Sequence, residues 1–337
     1  MLIVMRAEAT PEDIERVSNR IQELGFAAHP IPGSARTAIG VTGNDTEIDP
    51  GHFDLLPGVA QAIVVSQPFK LVSREVKGES TVVDVDGVLV GGKNVVVMGG
   101  PCSVESKEQI LLCADAVAEA GGTFLRGGAF KPRTSPYAFR GLMEEGLQLL
   151  ANAREQTGLK VITEVLTVDT VGLVSEYADV LQIGARNMQN FALLEAVGSQ
   201  PKPVMLKRGM SATIKELLMA AEYIVAKGNY NVLLCERGIR TYEPMTRNTL
   251  DLGAVALLKE LSHLPIIVDP SHGIGVRSGV IPLARAGVAA GADGLIVEMH
   301  PEPNRAWSDG MQSLTIPMFQ SMMDQVRRIS LAVDRSI

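Results

Sequence analysis

Six cationic side chains, Arg126, Lys131, Arg133, Arg186, Lys207 and Arg237, stand at or just after the ends of apolar runs in a chain whose net charge is −7. Arginine's planar fork bonds two oxygens at once, and lysine supplies a compact point charge, so both types suit carboxylate and phosphate. Gathered in one place, six such charges would repel one another strongly unless anions filled the space between them. As a set they point to a ligand carrying phosphate plus carboxylate; taken singly, each reads as an ordinary surface ion-pair partner. The segment Phe130-Lys-Pro-Arg-Thr-Ser-Pro136 adds a loop stiffened by two prolines. Its two cations and two hydroxyls, Arg133 and Thr134 among them, can address one anion.

A second group is Cys102, His272, Glu298 and Asp309. A thiolate, an imidazole and two carboxylates together can hold a divalent metal ion such as Mn, Fe, Co or Zn. No local spacing rule joins these four, so only a fold that closes their elements on one another would make them a site. Outside such a fold, Cys102 reads as a small buried hydrophobe and His272 as a satisfied loop histidine. His300, two residues beyond Glu298, is either a substitute ligand or an orienting group. Glu164 ends a further apolar run and is a carboxylate available for acid–base work. Cys113 and Cys235 lie within helix-like and strand-like runs and read as core.

The elements that must position these groups are legible as a pattern. Eight apolar runs end in Cys102 (through Gly-Gly-Pro), Arg126, Glu164, Arg186, Lys207, Glu236-Arg237, Asp269-Pro-Ser-His272 and Glu298-Met-His300, and helical periodicity follows each. In a (β/α)8 TIM barrel all strands run the same way, so such endings meet at one mouth. Ser106-Lys-Glu-Gln109 and Thr213-Ile-Lys-Glu216 read as capping boxes, and Gly121, Gly158 and Gly228 fall where helices should stop. No Gly-x-Gly-x-x-Gly follows the first strand, which argues against an open doubly wound sheet.

The spacing predicts a small α+β domain over residues 1–66 with the order β-α-β-β-α-β, the split βαβ of ferredoxin-like domains. Thr10-Pro-Glu-Asp13 opens its first helix, a second helical piece falls near Phe53 to Leu56, and a last strand is expected at Ala62 to Val65. Residues 67–93 form a linker and a β-hairpin around Asp86-Gly87, placed to plug the closed end of a barrel spanning 94–337. Acidic balance and the lack of a long basic face argue against nucleic acid or an anionic membrane as partner. No apolar run approaches the roughly 20 residues that span a bilayer. Three cysteines, an odd number without a secretory signal, suggest a reducing cytoplasm.

Together these motifs resemble the 3-deoxy-D-arabino-heptulosonate 7-phosphate (DAHP) synthases, type I beta, the subgroup related to the octulosonate 8-phosphate synthases. The resemblance rests on Gly100-Pro-Cys-Ser-Val-Glu-Ser106, Lys131-Pro-Arg-Thr-Ser-Pro136, Gln182-Ile-Gly-Ala-Arg-Asn-Met-Gln189, Leu206-Lys-Arg-Gly209, Cys235-Glu-Arg-Gly238, Asp269-Pro-Ser-His272 and the segment from Glu298 to Asp309. It implies metal-dependent condensation of phosphoenolpyruvate with erythrose 4-phosphate, the first step of the shikimate pathway. It implies that Cys102, His272, Glu298 and Asp309 are the metal ligands, with Cys102, His272, Lys131 and Glu164 as the catalytic groups. It also implies that Arg126, Lys131, Arg186, Lys207 and Arg237, with the backbone of Ala185, clamp phosphoenolpyruvate. Arg133 and Thr134 then take the phosphate of erythrose 4-phosphate. For the N-terminal domain it implies inhibition by tyrosine or phenylalanine, and for the chain a homotetramer.

Two other enzymes share parts of this pattern. A 3-deoxy-D-manno-octulosonate 8-phosphate synthase would use arabinose 5-phosphate, but members of that family usually carry Asn in place of Pro132-Arg133-Thr134 and lack the N-terminal domain. A Schiff-base aldolase would use Lys131 or Lys207 as its nucleophile. A metabolite-binding barrel with a sensor domain would require the metal group to be degenerate, and all four ligands are present.

Overall fold

The computed structural model describes residues 1–337 except 34–35, 44–47, 65–67, 133–136 and 138. Two units divide the chain, residues 1–80 with 260–263 and residues 81–259 with 264–337.

In the first unit, β1 (Leu2–Met5) leads into α1 (Pro11–Glu23). Thr10 caps this helix reciprocally with Asp13, and Pro11 occupies the first turn, where its missing N–H costs nothing. The chain continues through β2 (Ala27–Pro32), β3 (Thr37–Thr42) and β4 (Val59–Ile63). These strands form one antiparallel sheet in the order β2-β3-β1-β4, the ferredoxin-like arrangement expected from the pattern. Ile3, Met5, Val17, Ile21, Ile39, Val41 and Phe53 make its core. The second helix is shorter than the periodicity suggested. Only one 3-10 turn forms, at Pro50–His52, and it precedes the expected Phe53 to Leu56 segment. Pro57 and Gly58 (φ +79) then turn the chain into β4 before a second helical turn can close. That strand accordingly starts earlier than the expected Ala62.

The second unit opens with a hairpin, β5 (Val83–Val85) and β6 (Val88–Val90), joined by Asp86 and Gly87. Both turn residues have positive φ, as a two-residue turn matching strand twist requires. Eight parallel strands follow and close on themselves. They are β7 (Val96–Gly100), β8 (Phe124–Arg126), β9 (Lys160–Val165), β10 (Val180–Ile183), β11 (Val204–Lys207), β12 (Val232–Glu236), β13 (Ile266–Val268) and β14 (Gly294–Glu298). The helices between them are α2 (Lys107–Glu119), α3 (Glu144–Thr157), α4 (Val171–Tyr177), α5 (Phe191–Gly198), α6 (Ile214–Ala226), α7 (Leu252–Leu261), α8 (Pro270–Ile274) and α9 (Arg277–Ala289); α10 (Ile316–Ala332) comes last. Val83, Val85 and Val90 of the hairpin pack with Val96, Phe124, Val180, Met205 and Leu233 from the early parts of the strands. Asp86 pairs with Lys160, the first residue of β9, at 3.6 Å. The hairpin therefore seals the N-terminal end with valines, and the polar C-terminal end is left for chemistry.

Gly99 in β7 shows how closely the helix layer sits. A Cβ there would lie 2.7 Å from Phe319 Cζ, so the absent side chain makes room for a fully buried ring of α10. Phe319→Ala is expected to lower unfolding free energy by about 3–5 kcal/mol, because the ring's seat cannot refill. Urea unfolding measures this, and a loss under about 1 kcal/mol would mean the layer collapses around the gap. No helix among the described residues is long and apolar enough to cross a membrane.

Candidate active site

At the C-terminal ends of the strands the chain leaves one polar pocket. Lining it are Arg126 from the end of β8, Lys131 beyond it, Glu164 of β9, Ala185 and Arg186 in the turn after β10, Lys207 closing β11 and Arg237 just after β12. His272 of α8 and Asp309, in the loop beyond β14, join them, with Gln182, Gly184, Pro132 and Arg247 added, while Cys102 and Glu298 are not among the lining residues. Arg133 and Thr134 lie outside the described residues.

Strands β13, β14 and β7 are neighbours in the closed barrel, which brings together groups up to 207 positions apart. The donor atoms of Cys102, Glu298 and Asp309 all lie within 4.8 Å of one another. The Cys102 thiol donates to Asp309 Oδ2 at 3.2 Å. His272 Nε2 stands 3.4 Å from Glu298 Oε1 and 4.0 Å from Asp309 Oδ2. On the other side of the ring, Nδ1 lies 2.7 Å from Asp269 Oδ2, which fixes the ring with Nε2 facing the two carboxylates. Asp269 also caps α8 by accepting the His272 backbone N–H at 3.0 Å, so one carboxylate fixes both the turn and the ring. A thiol and two carboxylates converging in this way, with an imidazole beside them, are a donor set that a divalent transition metal would suit.

The electrostatics suit such a group. Burial pushes the Cys102 thiol up to about 11, reinforced by Glu298 beside it. Although burial opposes charge, Arg247 and His272 hold the Asp309 carboxyl down at about 2. Glu298, more deeply buried than Asp309, is likewise held below its ordinary value by His272 and Arg126. Lys131 Nζ donates to the Cys102 carbonyl at 2.9 Å and to its sulfur at 3.0 Å. Burial works against that ammonium, yet Cys102 and Glu164 raise it above its usual range.

The cations do not all wait for an external anion. Arg126 pairs with Glu298 at 3.2 Å, and Lys207 with Asp269 at 2.5 Å. Even so, among the described residues the Nε of buried Arg126 has no hydrogen-bond partner, and Arg237 makes a 3.3 Å bond to the neighbouring Gly238 carbonyl. The Arg126 and Arg237 side chains both line the pocket, where an anionic ligand would meet them.

Three readings of the sequence change here. Glu236, a strand ending expected to face the mouth, is fully buried behind it, bound to Arg208 at 2.9 Å and to the Gly238 N–H at 2.6 Å. Desolvation raises its pKa, and the adjacent guanidinium keeps the pair viable. His300 turns away from the ligand group and meets Glu105 at 3.3 Å. The Ser106 box forms only by half: Ser106 accepts from Gln109 N–H, but the Gln109 side chain binds Glu105 N–H and the Ser103 carbonyl. Sequence reasoning assigned no role to Arg247, Gln312 or Asp269. Asp269 had a visible cue, an Asx cap three residues before His272; the other two had none.

Residues 74–332 match the DAHP synthetase I family, and residues 1–67 match the DAHP synthase ferredoxin-like domain. The chain is 47% identical over 333 residues to phospho-2-dehydro-3-deoxyheptonate aldolase of Thermotoga maritima, covering 99% of this chain and 98% of that one. A crystal structure of the Thermotoga maritima protein superposes with a TM-score of 0.80 at 46% identity, over 99% of this chain and 98% of that one. Similarity to 2-dehydro-3-deoxyphosphooctonate aldolase of Syntrophobacter fumaroxidans is lower, 33% over 263 residues, covering 72% of this chain and 90% of that one. From its N-terminal sheet to its ligand-bearing barrel mouth, this chain belongs to the DAHP synthetase I family.

Proposed function

We infer that this protein condenses phosphoenolpyruvate with erythrose 4-phosphate to give DAHP and phosphate, opening the shikimate pathway. The observation that carries the reading is a pocket lined by Arg126, Lys131, Arg186, Lys207 and Arg237, set against a thiol–dicarboxylate group with the His272 imidazole beside it. Both substrates are anionic, and only one of them carries an aldehyde.

In this reading Arg126, Arg186, Lys207 and Arg237 hold the phosphate and carboxylate of phosphoenolpyruvate, with a backbone group of Ala185. Forked and point-charge donors then fix the enol carbon over the aldehyde. A divalent metal held by Cys102, His272, Glu298 and Asp309 would supply Lewis acidity toward the aldehyde oxygen. C3 of phosphoenolpyruvate attacks the aldehyde carbon, and Lys131, kept protonated by its neighbours, gives the new alkoxide its proton. Positive charge develops at C2, water adds there, and phosphate leaves. Glu164, packed so closely over Gly184 that a Cβ there would collide with its carboxylate, is placed to take the proton of that water.

Arg133 and Thr134 are assigned to the erythrose 4-phosphate phosphate. Arg133→Ala is expected to raise KM for erythrose 4-phosphate by about 10-fold or more while leaving that for phosphoenolpyruvate within about 2-fold, since a charged hydrogen bond is worth roughly 1.5–3 kcal/mol. Equal rises in both would assign the loop wrongly. Steady-state assay with erythrose 4-phosphate and arabinose 5-phosphate side by side tests the reaction itself; preference for the five-carbon aldose would replace it with octulosonate chemistry. The same reading gives the N-terminal domain a regulatory role for tyrosine or phenylalanine and the chain a homotetrameric state, tested by adding each amino acid to the assay and by light scattering.

A further inference from the structure

Each carboxylate in the ligand group has two oxygens, and something must decide which one faces the ion. Arg247 Nη1 donates to Asp309 Oδ1 at 3.1 Å and to Gln312 Oε1 at 2.8 Å. Gln312 Nε2 in turn donates to Glu298 Oε2 at 2.5 Å. The oxygens these two residues leave are Asp309 Oδ2 and Glu298 Oε1, the second of which also accepts from Arg126 Nη1 at 3.2 Å. These are the two that face Cys102 Sγ and His272 Nε2. Gln312 is buried, and its amide can point only one way: its oxygen meets a cation and its nitrogen a carboxylate. We propose that Arg247 and Gln312 form a positioning relay that locks both carboxylates with their ligating oxygens turned to the metal.

The scaffold around the relay supports this role. Backbone bonds from Arg247 N–H to the Ile274 carbonyl (2.9 Å) and from Asn248 N–H to the Gly273 carbonyl (3.1 Å) stitch the Arg247 segment to the turn that carries His272. Asn248 Nδ2 adds a bond to the His272 carbonyl at 2.9 Å. Asp309 itself sits at φ +49, a conformation that costs a non-glycine residue energy and needs neighbours to hold it. Ser313 Oγ donates to its carbonyl at 3.0 Å, and Ser308 meets Ser103 at 2.5 Å, one residue from Cys102. Outer partners of this kind fix ligand orientation in metal sites generally. Arg247 also lines the anion pocket, so the relay lies on the border between the two halves of the site.

The proposal rests on the metal reading above, and the experiment separates the two. Metal-free full-length protein is titrated with Co²⁺ alone, reading affinity by chelator competition and the sulfur-to-cobalt absorption band contributed by Cys102. Wild type should bind with that band. Gln312→Leu, which keeps volume and removes both bonds, should weaken Co²⁺ by about 10–100-fold. Arg247→Met, at a half-exposed position that tolerates change, should do the same. The double variant should bind no worse than the weaker single, because both residues act through one chain of bonds. Wild-type affinity in Gln312→Leu, or losses that multiply in the double variant, would remove the relay and leave the metal site standing. Wild type without a Cys102-dependent band would overturn the metal reading and the relay with it.

Discussion

Cys102→Ala is expected to lower turnover by more than about 100-fold at saturating substrates, while the unfolding midpoint stays within about 4 °C of wild type. On the proposed function, the first magnitude follows from removing a direct ligand, when outer partners alone are typically worth about 10–100-fold in affinity or activity. The second follows from size. A cysteine side chain is small, its loss costs about 1 kcal/mol of burial, and in a protein this long that moves the midpoint only a few degrees. The remaining His272, Glu298 and Asp309 would still attract a divalent ion, but the soft donor that favours transition metals over magnesium or calcium would be gone. Lys131 and Asp309, which both bond the sulfur, would lose that partner. Kinetics with and without a chelator check the prediction. Wild-type turnover in the alanine variant after exhaustive chelation would take the metal out of the reaction.

Lys131→Met is expected to lower kcat by about 10²–10⁴-fold, the usual range for a lost general acid, with both KM values changed much less. Methionine keeps the length and apolar stem and removes only the ammonium. Lys131→Arg should not restore the rate, since a planar fork cannot reach both the Cys102 carbonyl and its sulfur from the point the ammonium occupies. The prediction also separates acid catalysis from a Schiff base. A lysine held in its ammonium form by Cys102 and Glu164 lacks the lone pair an imine needs, and Lys207 is likewise tied to Asp269 at 2.5 Å. Borohydride with substrate present should therefore leave wild type active. Inactivation with covalent label on either lysine, or a Lys131→Met kcat within about 10-fold of wild type, would reverse the assignment.

Much of the architecture could be read from one chain because it is written in short-range terms. Period-2 and period-3.6 patterning marked the strands and helices. Thr213 and Glu216 close the reciprocal cap their spacing promised, and Gly121, Gly158 and Gly228 all take the positive φ expected beyond a helix end. Where local reading failed, a partner outside the expected pattern had won. Gln109 satisfied every condition of a capping box, yet its amide found the Ser103 carbonyl and the Glu105 N–H instead. Glu236 sits at a strand end like Glu164, but Arg208 draws it to the outer side of the barrel. His300 lies on the strand path of a ligand and is claimed by Glu105, 195 positions earlier.

What the amino-acid sequence determined by itself was the order of elements, the strand endings that would meet, and the types of charge they would bring there. Those depend on periodicity and on neighbours a few residues away, and they carry the barrel, the N-terminal sheet and an anionic ligand. Only the tertiary structure decided how the charges are shared. Arg126 serves both Glu298 and the Pro101 carbonyl, Asp269 holds both Lys207 and His272, and Arg247 and Gln312 link two carboxylates that no motif connects. The reason is geometric: a hydrogen bond is made or lost within a few tenths of an ångström. For groups separated by tens to hundreds of residues, only closure of the barrel sets that distance.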